Sequence, residues 1–203
     1  MEEQDSFVQD FINHLREWKL IETEEIPNIP LYMDQVLTFI NERLDHTKRY
    51  TDDKVLTKTM INNYAKNRLL PSPEKKKYSK DHMILLLFIY YFKNILSIGD
   101  IQTLLDPLTE NYFRTEGGSG LSRIYNTIKE LEEDGTECLK ADLDRAWEKA
   151  SSVFKEDENR EMLQKLAFIC LLSYDVYLKK NLIESMVDEM NKAGDSSLSR
   201  KKK

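Results

Sequence analysis

Residues 56–92 read LTKTMINNYAKNRLLPSPEKKKYSKDHMILLLFIYYF, and this stretch decides the fold. Thr57 is a suitable N-cap, because its side-chain oxygen can accept a hydrogen bond from the free amides of a helix's first turn. The spacing of apolar residues predicts a helix from Thr57 to Leu70 whose buried face is formed by Met60, Ile61 and Tyr64. The opposite face is polar and contains no acid; it carries Lys58, Thr59, Asn62, Asn63 and Lys66.

Two prolines and a lysine run separate this helix from the next one. Pro71 and Pro73 end the first helix, because proline lacks an amide hydrogen and disfavours helical geometry in the residue before it. Ser79 can then cap a long, almost wholly apolar helix from Lys80 to about Asn94. The pattern predicts a polar-faced helix, a basic loop and a buried helix in immediate succession.

The charge of the chain is unevenly distributed. The 203 residues carry a net charge of −6, which by itself argues against binding to nucleic acid. From Lys54 to Lys80, however, there are eight basic residues and one acid, a net charge of +7 that leaves −13 on the rest of the chain. A basic segment on an acidic body is a charge asymmetry that suits contact with phosphates, although a lysine triplet by itself is most often a solvated loop.

Several functional classes lack their sequence features. The acidic start has no apolar segment of a signal peptide, and the longest apolar run, Met83 to Phe92, is half the length of a membrane span. Cys138 and Cys170 have no local CxxC spacing, which fits a reducing cytosol. The three histidines lack metal-ligand spacing, and we expect His82 at the surface. No phosphate loop or nucleophile–base pair is present, so we predict a cytoplasmic protein that is not an enzyme and holds no cofactor.

Proline, glycine and hydrophobic periodicity divide the chain into four parts. Residues 1–30 form an N-terminal helix, Ser6 to Lys19, and a connection. Residues 31–106 form the central domain, whose last helix ends at Leu105 before Pro107. Beyond a glycine-rich linker, Glu116 to Gly120, residues 121–193 form three helices. Residues 194–203 form a polar, disordered basic tail. The fold class is all-α with a small β-wing and a C-terminal helical bundle.

Three segments within residues 31–106 resemble the DNA-binding domain of the MerR family. They are Arg68-Leu69-Leu70-Pro71, Tyr78-Ser79 and the stretch from Ser97 to Leu105. In that family a recognition helix ends in a Gly-Leu-Leu-Pro-like turn and a wing ends in Arg-x-Tyr-Ser. The helices that follow close with Ser-x-x-x-Ile-x-x-Leu-Leu. The resemblance therefore implies a winged helix-turn-helix.

The match to the MerR pattern is uneven in the recognition elements. Tyr64 falls on the second of two recognition-helix tyrosines, Lys76 on the wing arginine and Tyr78 on the wing tyrosine. Asn62 and Asn63 replace the arginine and the first tyrosine, and the connection before the helix is longer than the usual three to four residues. The fold analogy survives these differences, whereas the docking geometry does not follow from it.

Residues 56–64 and 75–83 are also similar to the bacterial family numbered 1836 among the domains of unknown function. Leu56-Thr57-Lys58-Thr59-Met60-Ile61-Asn62-Asn63-Tyr64 and the lysine run leading through Tyr78-Ser79 carry this second resemblance. That family has no established activity. It therefore implies a fold and no function.

Together these patterns predict a sequence-specific DNA-binding transcriptional regulator. The helix from Thr57 to Leu70 would enter the major groove, where asparagine suits adenine and lysine suits phosphate or guanine. The lysine run would grip phosphates. The predicted contacts to double-stranded DNA are Lys58, Thr59, Asn62, Asn63, Tyr64, Lys66, Arg68, Lys75, Lys76, Lys77 and Tyr78.

The later helices leave three interpretations open. The apolar stretch from Met162 to Leu182 predicts a homodimer, and the same pattern also fits the core of a monomeric bundle or a pocket for an unknown effector. A second function from another class remains as well. The domain could keep a winged-helix fold as a protein-interaction module that does not bind DNA.

Overall fold

The computed structural model of the chain describes residues 11, 20–115, 120–132 and 135–200. These residues divide into two compact units. One runs from Leu20 to Glu130 and includes the end of the last helix from Val187, and the other contains Leu131 to Met186 together with residue 11. Apart from Phe11, which is helical, the helix predicted from Ser6 to Lys19 lies outside the described residues.

The described residues form seven α-helices and two short strands. One 3₁₀ turn, Asp45–Thr47, follows the first helix. In chain order the elements are β1 (Leu31–Tyr32), α1 (Met33–Arg43), α2 (Lys58–Lys66), β2 (Lys77–Tyr78), α3 (Lys80–Phe92), α4 (Ile98–Tyr112), α5 (Gly120–Glu132), α6 (Gly135–Ser151) and α7 (Arg160–Arg200).

The two strands form a small antiparallel sheet. Leu31 lies opposite Tyr78, and Tyr32 lies opposite Lys77. The sheet ties the segment before α1 to the segment before α3, so it closes the chain around α2. The predicted combination of a mostly helical protein with a small β element is confirmed.

Helix α3 is the centre of the first unit. Ten consecutive residues, Asp81 to Tyr90, are buried. A helix that is apolar on all sides requires neighbours on all sides. Its surroundings include β2, α4 and α5, where the ring of Tyr125 meets Phe88 edge-on with 5.6 Å between ring centroids. Helix α5, predicted to begin the C-terminal region, thus packs on the central helix.

His82 corrects one expectation at the start of α3. It is fully buried rather than at the surface. Its Nδ1 accepts a hydrogen bond from the Ser79 amide at 3.0 Å, and its ring lies edge-on between Tyr78 and Phe113. Burial, together with the nearby charge of Arg114, lowers its pKa to about 4. Hydrophobic periodicity could not predict this position, because His82 is a polar residue whose buried side chain caps the first turn of the helix.

Two helix ends differ from those predicted. Helix α2 ends at Lys66 instead of Leu70, because the chain reverses through a left-handed residue at Arg68. Helix α4 passes through Pro107 and ends at Tyr112 rather than at Leu105. A proline removes one hydrogen bond from a helix, and the packing of Leu108 and Tyr112 against the core holds the turns beyond it.

The second unit is built from α6 and most of α7. Trp147 meets Phe168 edge-on at 5.3 Å between ring centroids. The Gln164 side chain donates to the carbonyls of Ser151 and Val153, at 2.9 Å each, where α6 has ended. Helix α7 continues to Arg200, where the sequence predicted a disordered tail from residue 194. Among the described residues, no helix has the length and apolar character of a membrane span.

Candidate nucleic-acid interface

Helix α2 presents a polar face to solvent, as its spacing predicted. The Thr57 hydroxyl accepts from the Met60 amide at 3.2 Å and begins the helix. Ile61 and Tyr64 are buried against the core. The exposed positions are Lys58, Thr59, Asn62, Asn63 and Lys66. Because one side of a nine-residue helix is anchored, its outer side chains occupy a fixed surface.

The long connection before α2 is held in place by polar contacts. The Asn41 amide donates to the carbonyls of Leu37, at 2.7 Å, and Leu56, at 3.0 Å, and its oxygen accepts from the Leu56 amide at 3.3 Å. The Lys93 ammonium donates to the Val55 carbonyl at 2.8 Å. These contacts fix the entry to α2 despite a connection longer than that of a usual helix-turn-helix. Asn41 was not identified from the sequence, because its partner lies fifteen residues away.

The exit of α2 is a left-handed turn made by an arginine. Arg68 has φ 60°, and the amides of Leu69 and Leu70 donate to the Tyr64 carbonyl at 2.9 and 3.3 Å. This position normally favours glycine, because a Cβ in left-handed geometry costs about 1–2 kcal/mol. Arg68 is exposed, so its side chain gains no burial that would offset this cost.

The lysine run forms a tight hairpin turn, here called the basic turn, Glu74–Lys77. The Lys77 amide donates to the Glu74 carbonyl at 2.9 Å. Both central residues are left-handed, with φ 50° at Lys75 and 64° at Lys76. This is the geometry of a type I′ turn, which strongly prefers Asn-Gly. Two lysines stand in its place, with exposed side chains at the tip.

Two further contacts organise the base of this turn. The Lys77 ammonium lies 5.1 Å from the centroid of the Tyr32 ring. The Arg114 guanidinium is 3.5 Å from the Glu74 carboxylate. The backbone amide of Arg114 donates to the Asp81 carboxylate at 2.8 Å. Arg114 therefore neutralises the one acid between Lys54 and Lys80. Sequence reasoning missed Arg114, because nothing near it in the chain indicates that the end of α4 returns to this turn.

Six basic side chains of this region are exposed and have no carboxylate partner among the described residues. They are Lys54, Lys58, Lys66, Arg68, Lys75 and Lys76, here called the basic set. Elsewhere, for comparison, Lys165, Lys179 and Lys180 are each paired with an acid one helical turn away. The uncompensated positive charge predicted from the sequence is thus available at the surface.

Tyr64 and Tyr78, which the MerR resemblance added to the predicted contacts, lie in the core. They are 6% and 4% exposed, and burial raises the pKa of both phenols. Each anchors its element from inside. We therefore leave them out of the candidate interface, which consists of the basic set, Lys77, Thr59, Asn62 and Asn63.

A family profile described as "Domain of unknown function (DUF1836)" matches residues 21–128, more than half of the 203 residues. The chain belongs to this family. The DUF1836 segment nearly coincides with the unit built around α3, so the family pattern and the compact unit describe the same part of the chain. No curated protein and no solved structure matches the chain. The MerR-like winged helix stays a prediction.

The part of the chain that the structure describes contains no cluster of three or more metal-ligating side chains. Cys138 and Cys170 are exposed and carry free thiols. The candidate interface is therefore the described surface whose residue types point most directly to a ligand class.

Proposed function

We propose that this DUF1836 protein binds double-stranded DNA and regulates transcription. In this proposal the unit from Leu20 to Glu130 acts as a helix-turn-helix with a short wing. Helix α2 lies in the major groove and the basic turn contacts phosphates of the backbone. The observation that carries the proposal is the basic set, six exposed cations on and around one anchored helix that have no carboxylate partner in the part of the chain that the structure describes.

The backbone around α2 supports the same interpretation. Three residues of the basic set, Arg68, Lys75 and Lys76, occupy left-handed positions that disfavour any residue with a Cβ atom. Strain of this kind persists where the side chain has a use that outweighs it. Exposed cations that make no side-chain hydrogen bond or ion pair among the described residues are suited to binding an anion, and DNA presents phosphates at regular spacing.

Within α2, we assign base recognition and phosphate contacts to different side chains. Asn62 lies on the outer face and makes no side-chain hydrogen bond within the described residues, so its amide is available for the bidentate pairing that asparagine makes with adenine. Asn63 lies nearer the rim and contacts phosphate or water. Lys66 neutralises a phosphate.

The test begins with selection of bound fragments from random duplex DNA. On the preferred site, Asn62→Ala weakens binding by about 1–3 kcal/mol and relaxes preference at one base pair. On non-specific DNA the same change has almost no effect, because that binding depends on the cations. Lys66→Ala gives a similar loss on every sequence. Circular dichroism checks the fold, which both variants keep because both side chains are exposed and alanine favours helix.

A second measurement isolates the basic turn. Changing Lys75, Lys76 and Lys77 to Glu weakens binding to all sequences and lowers the salt slope by about 0.9 for each lost phosphate contact. Lys155→Glu, an exposed lysine outside the DUF1836 segment, is the matched control and leaves the slope unchanged. An unchanged slope in the triple variant removes the turn from the interface.

The competing function, a protein-interaction module, gives a different result. If Asn62→Ala and Lys66→Ala both leave DNA binding unchanged, α2 does not lie in a groove. If no fragment is enriched from the random pool and binding is absent at low salt, the chain does not bind DNA. Either outcome would leave the exposed face of α2 for a protein partner.

A further inference from the structure

Helix α7 carries a mostly apolar row that is largely exposed in the described chain. The row occupies residues 162, 166, 169, 173, 176, 180 and 183, with spacings that alternate between four and three. Five of these positions, here called the α7 stripe, are Met162, Leu166, Ile169, Val176 and Ile183. Their exposed fractions range from 36% at Ile183 to 64% at Val176.

The α7 stripe lies beside the contact between α7 and the other helix of its unit. Helix α6 packs on the side of α7 that carries Gln164 and Phe168. At about 100° per residue, Gln164 projects about 140° from Ile169 and about 120° from Val176, and Phe168 about 100° and about 80° from them. The second unit thus packs one side of α7 near Gln164 and Phe168 and leaves the stripe exposed among the described residues.

We infer that the α7 stripe is a homodimer interface in which α7 of one copy packs against α7 of a second copy. The spacing is the main argument. Alternation of four and three is a 3.5-residue repeat, which keeps a seam facing a partner helix only when that partner carries the same repeat. A second copy of this chain supplies a matching repeat by definition, and the resulting two-fold contact uses the same patch on both sides.

The size and charge of the surface fit this occupant. With Tyr177 beside it, the stripe exposes on the order of 400 Å² of apolar surface, more than scattered surface residues require. Since a little over half of a typical interface is apolar, this corresponds to roughly 700 Å² per copy, close to a standard interface.

The charges beside the stripe argue against a membrane surface as the occupant. Lys165, Lys179 and Lys180 pair within α7 with Glu161, Asp175 and Glu184. A helix that binds anionic lipid presents unbalanced cations on its polar face, and these pairs remove that imbalance.

Two polar residues in the row favour an antiparallel arrangement. In a parallel dimer identical residues meet, so Lys180 would face Lys180 of the second copy. In an antiparallel dimer centred near residue 171, Ile169 meets the small Ser173 of the second copy and Leu166 meets Val176. Lys180 then lies beside Met162 and keeps its pairing with Glu184. The antiparallel form therefore packs large side chains against small ones and separates like charges.

Sedimentation velocity of the full chain without DNA tests the interface. We expect a dimer at micromolar concentration for the wild type. Val176→Glu raises the dimer Kd by about 100-fold, because it buries an unpaired carboxylate from each copy. Leu182→Glu is the matched control: Leu182 is 63% exposed on the same helix but lies outside the row, so its variant stays a dimer.

The contrary outcomes are distinct. A wild-type chain that stays monomeric at 100 micromolar, or equal losses in both variants, would overturn the inference. A monomer that floats with phosphatidylcholine vesicles would assign the stripe to lipid instead. None of these results depends on DNA binding, so the dimer and the proposed function fail separately.

Cys170 reports on orientation. It directly follows Ile169 and its thiol is free and exposed. In the antiparallel dimer the two Cys170 residues flank the same side of the seam near the two-fold axis, whereas in a parallel dimer they lie on opposite sides. In a Cys138→Ser background, a short bis-maleimide should link the wild-type dimer in good yield and should not link Val176→Glu. A dimer that resists linkage would overturn the antiparallel arrangement.

Discussion

Helices α3 and α7 are both rich in large apolar residues, but those of α3 are buried and many of those of α7 are exposed. From Asp81 to Tyr90 every residue of α3 is buried, including a histidine and an aspartate. In α7, Leu166 is 51% exposed and Val176 is 64% exposed. The unit around α3 thus buries its apolar helix within the chain, whereas the stripe on α7 is left exposed, as the proposed dimer requires.

The largest expected effect tests this contrast directly. Leu86→Ala in α3 lowers the free energy of unfolding by about 2–5 kcal/mol, because Leu86 is fully buried and its loss leaves a cavity. Leu166→Ala in α7 changes it by less than about 0.5 kcal/mol when the protein is dilute enough to be monomeric. Urea denaturation followed by circular dichroism measures both values. Similar losses in the two variants would mean that Leu166 is buried within the monomer.

The contrast also explains what the sequence could predict. The apolar run of α3, the cap at Thr57 and the polar face of α2 are local patterns, and the structure agrees with them. The left-handed backbone at Arg68 and the continuation of α4 through Pro107 were not predicted, because tertiary packing overrides the local preference there.

The site was predictable to the same degree. The exposed lysines and asparagines followed from helix periodicity and charge. Arg114 and Asn41 did not, since each acts through a partner far away in the chain. The buried position of Tyr64 followed from periodicity, whereas that of Tyr78 was not predicted, because it depends on pairing with the distant Leu31. The family resemblance had placed both among the DNA contacts.

A smaller effect concerns the polar residue that α3 buries. The pKa of His82 is about 4 in the folded chain, below its ordinary value of 6.5, so the unfolded chain binds the proton more readily between these values. The contribution of His82 to the free energy of unfolding is therefore fully present above pH 6.5 and is lost as the pH drops toward 4. The loss from this group reaches about 3 kcal/mol, and urea midpoints across this range measure it.

His82→Gln separates this effect from acid titration elsewhere. A glutamine at the third position of a helix can accept the Ser79 amide hydrogen bond as the histidine does, and it does not titrate. The variant is less stable at pH 7.5, because the ring packed between Tyr78 and Phe113 is lost. Its stability changes less between pH 6.5 and 4 than that of the wild type. Parallel pH profiles for the two proteins would mean that His82 is not the group responsible.

The smallest expected effect tests whether the lysines of the basic turn stabilise the monomer, as the buried residues of α3 do, or serve a contact outside it, as proposed for the α7 stripe. Lys75 and Lys76 hold left-handed positions at the tip of a type I′ turn, where Asn-Gly is preferred. Lys75→Asn with Lys76→Gly therefore raises the free energy of unfolding by about 1 kcal/mol, which corresponds to a rise in Tm of about 2–4 °C. If the turn contacts DNA, the same variant lowers the salt slope of binding by about 1.8, for two lost phosphate contacts. Lys75→Arg with Lys76→Arg is the matched control, because it keeps both charges and both strained positions and should change neither value.

A variant that gains stability while losing DNA affinity would mean that these lysines, like the α7 stripe, are retained for a contact outside the monomer. A gain in stability with binding unchanged would identify the strain as unrelated to DNA. A loss in stability would mean that the lysine side chains stabilise the turn themselves, as the buried residues of α3 stabilise its core.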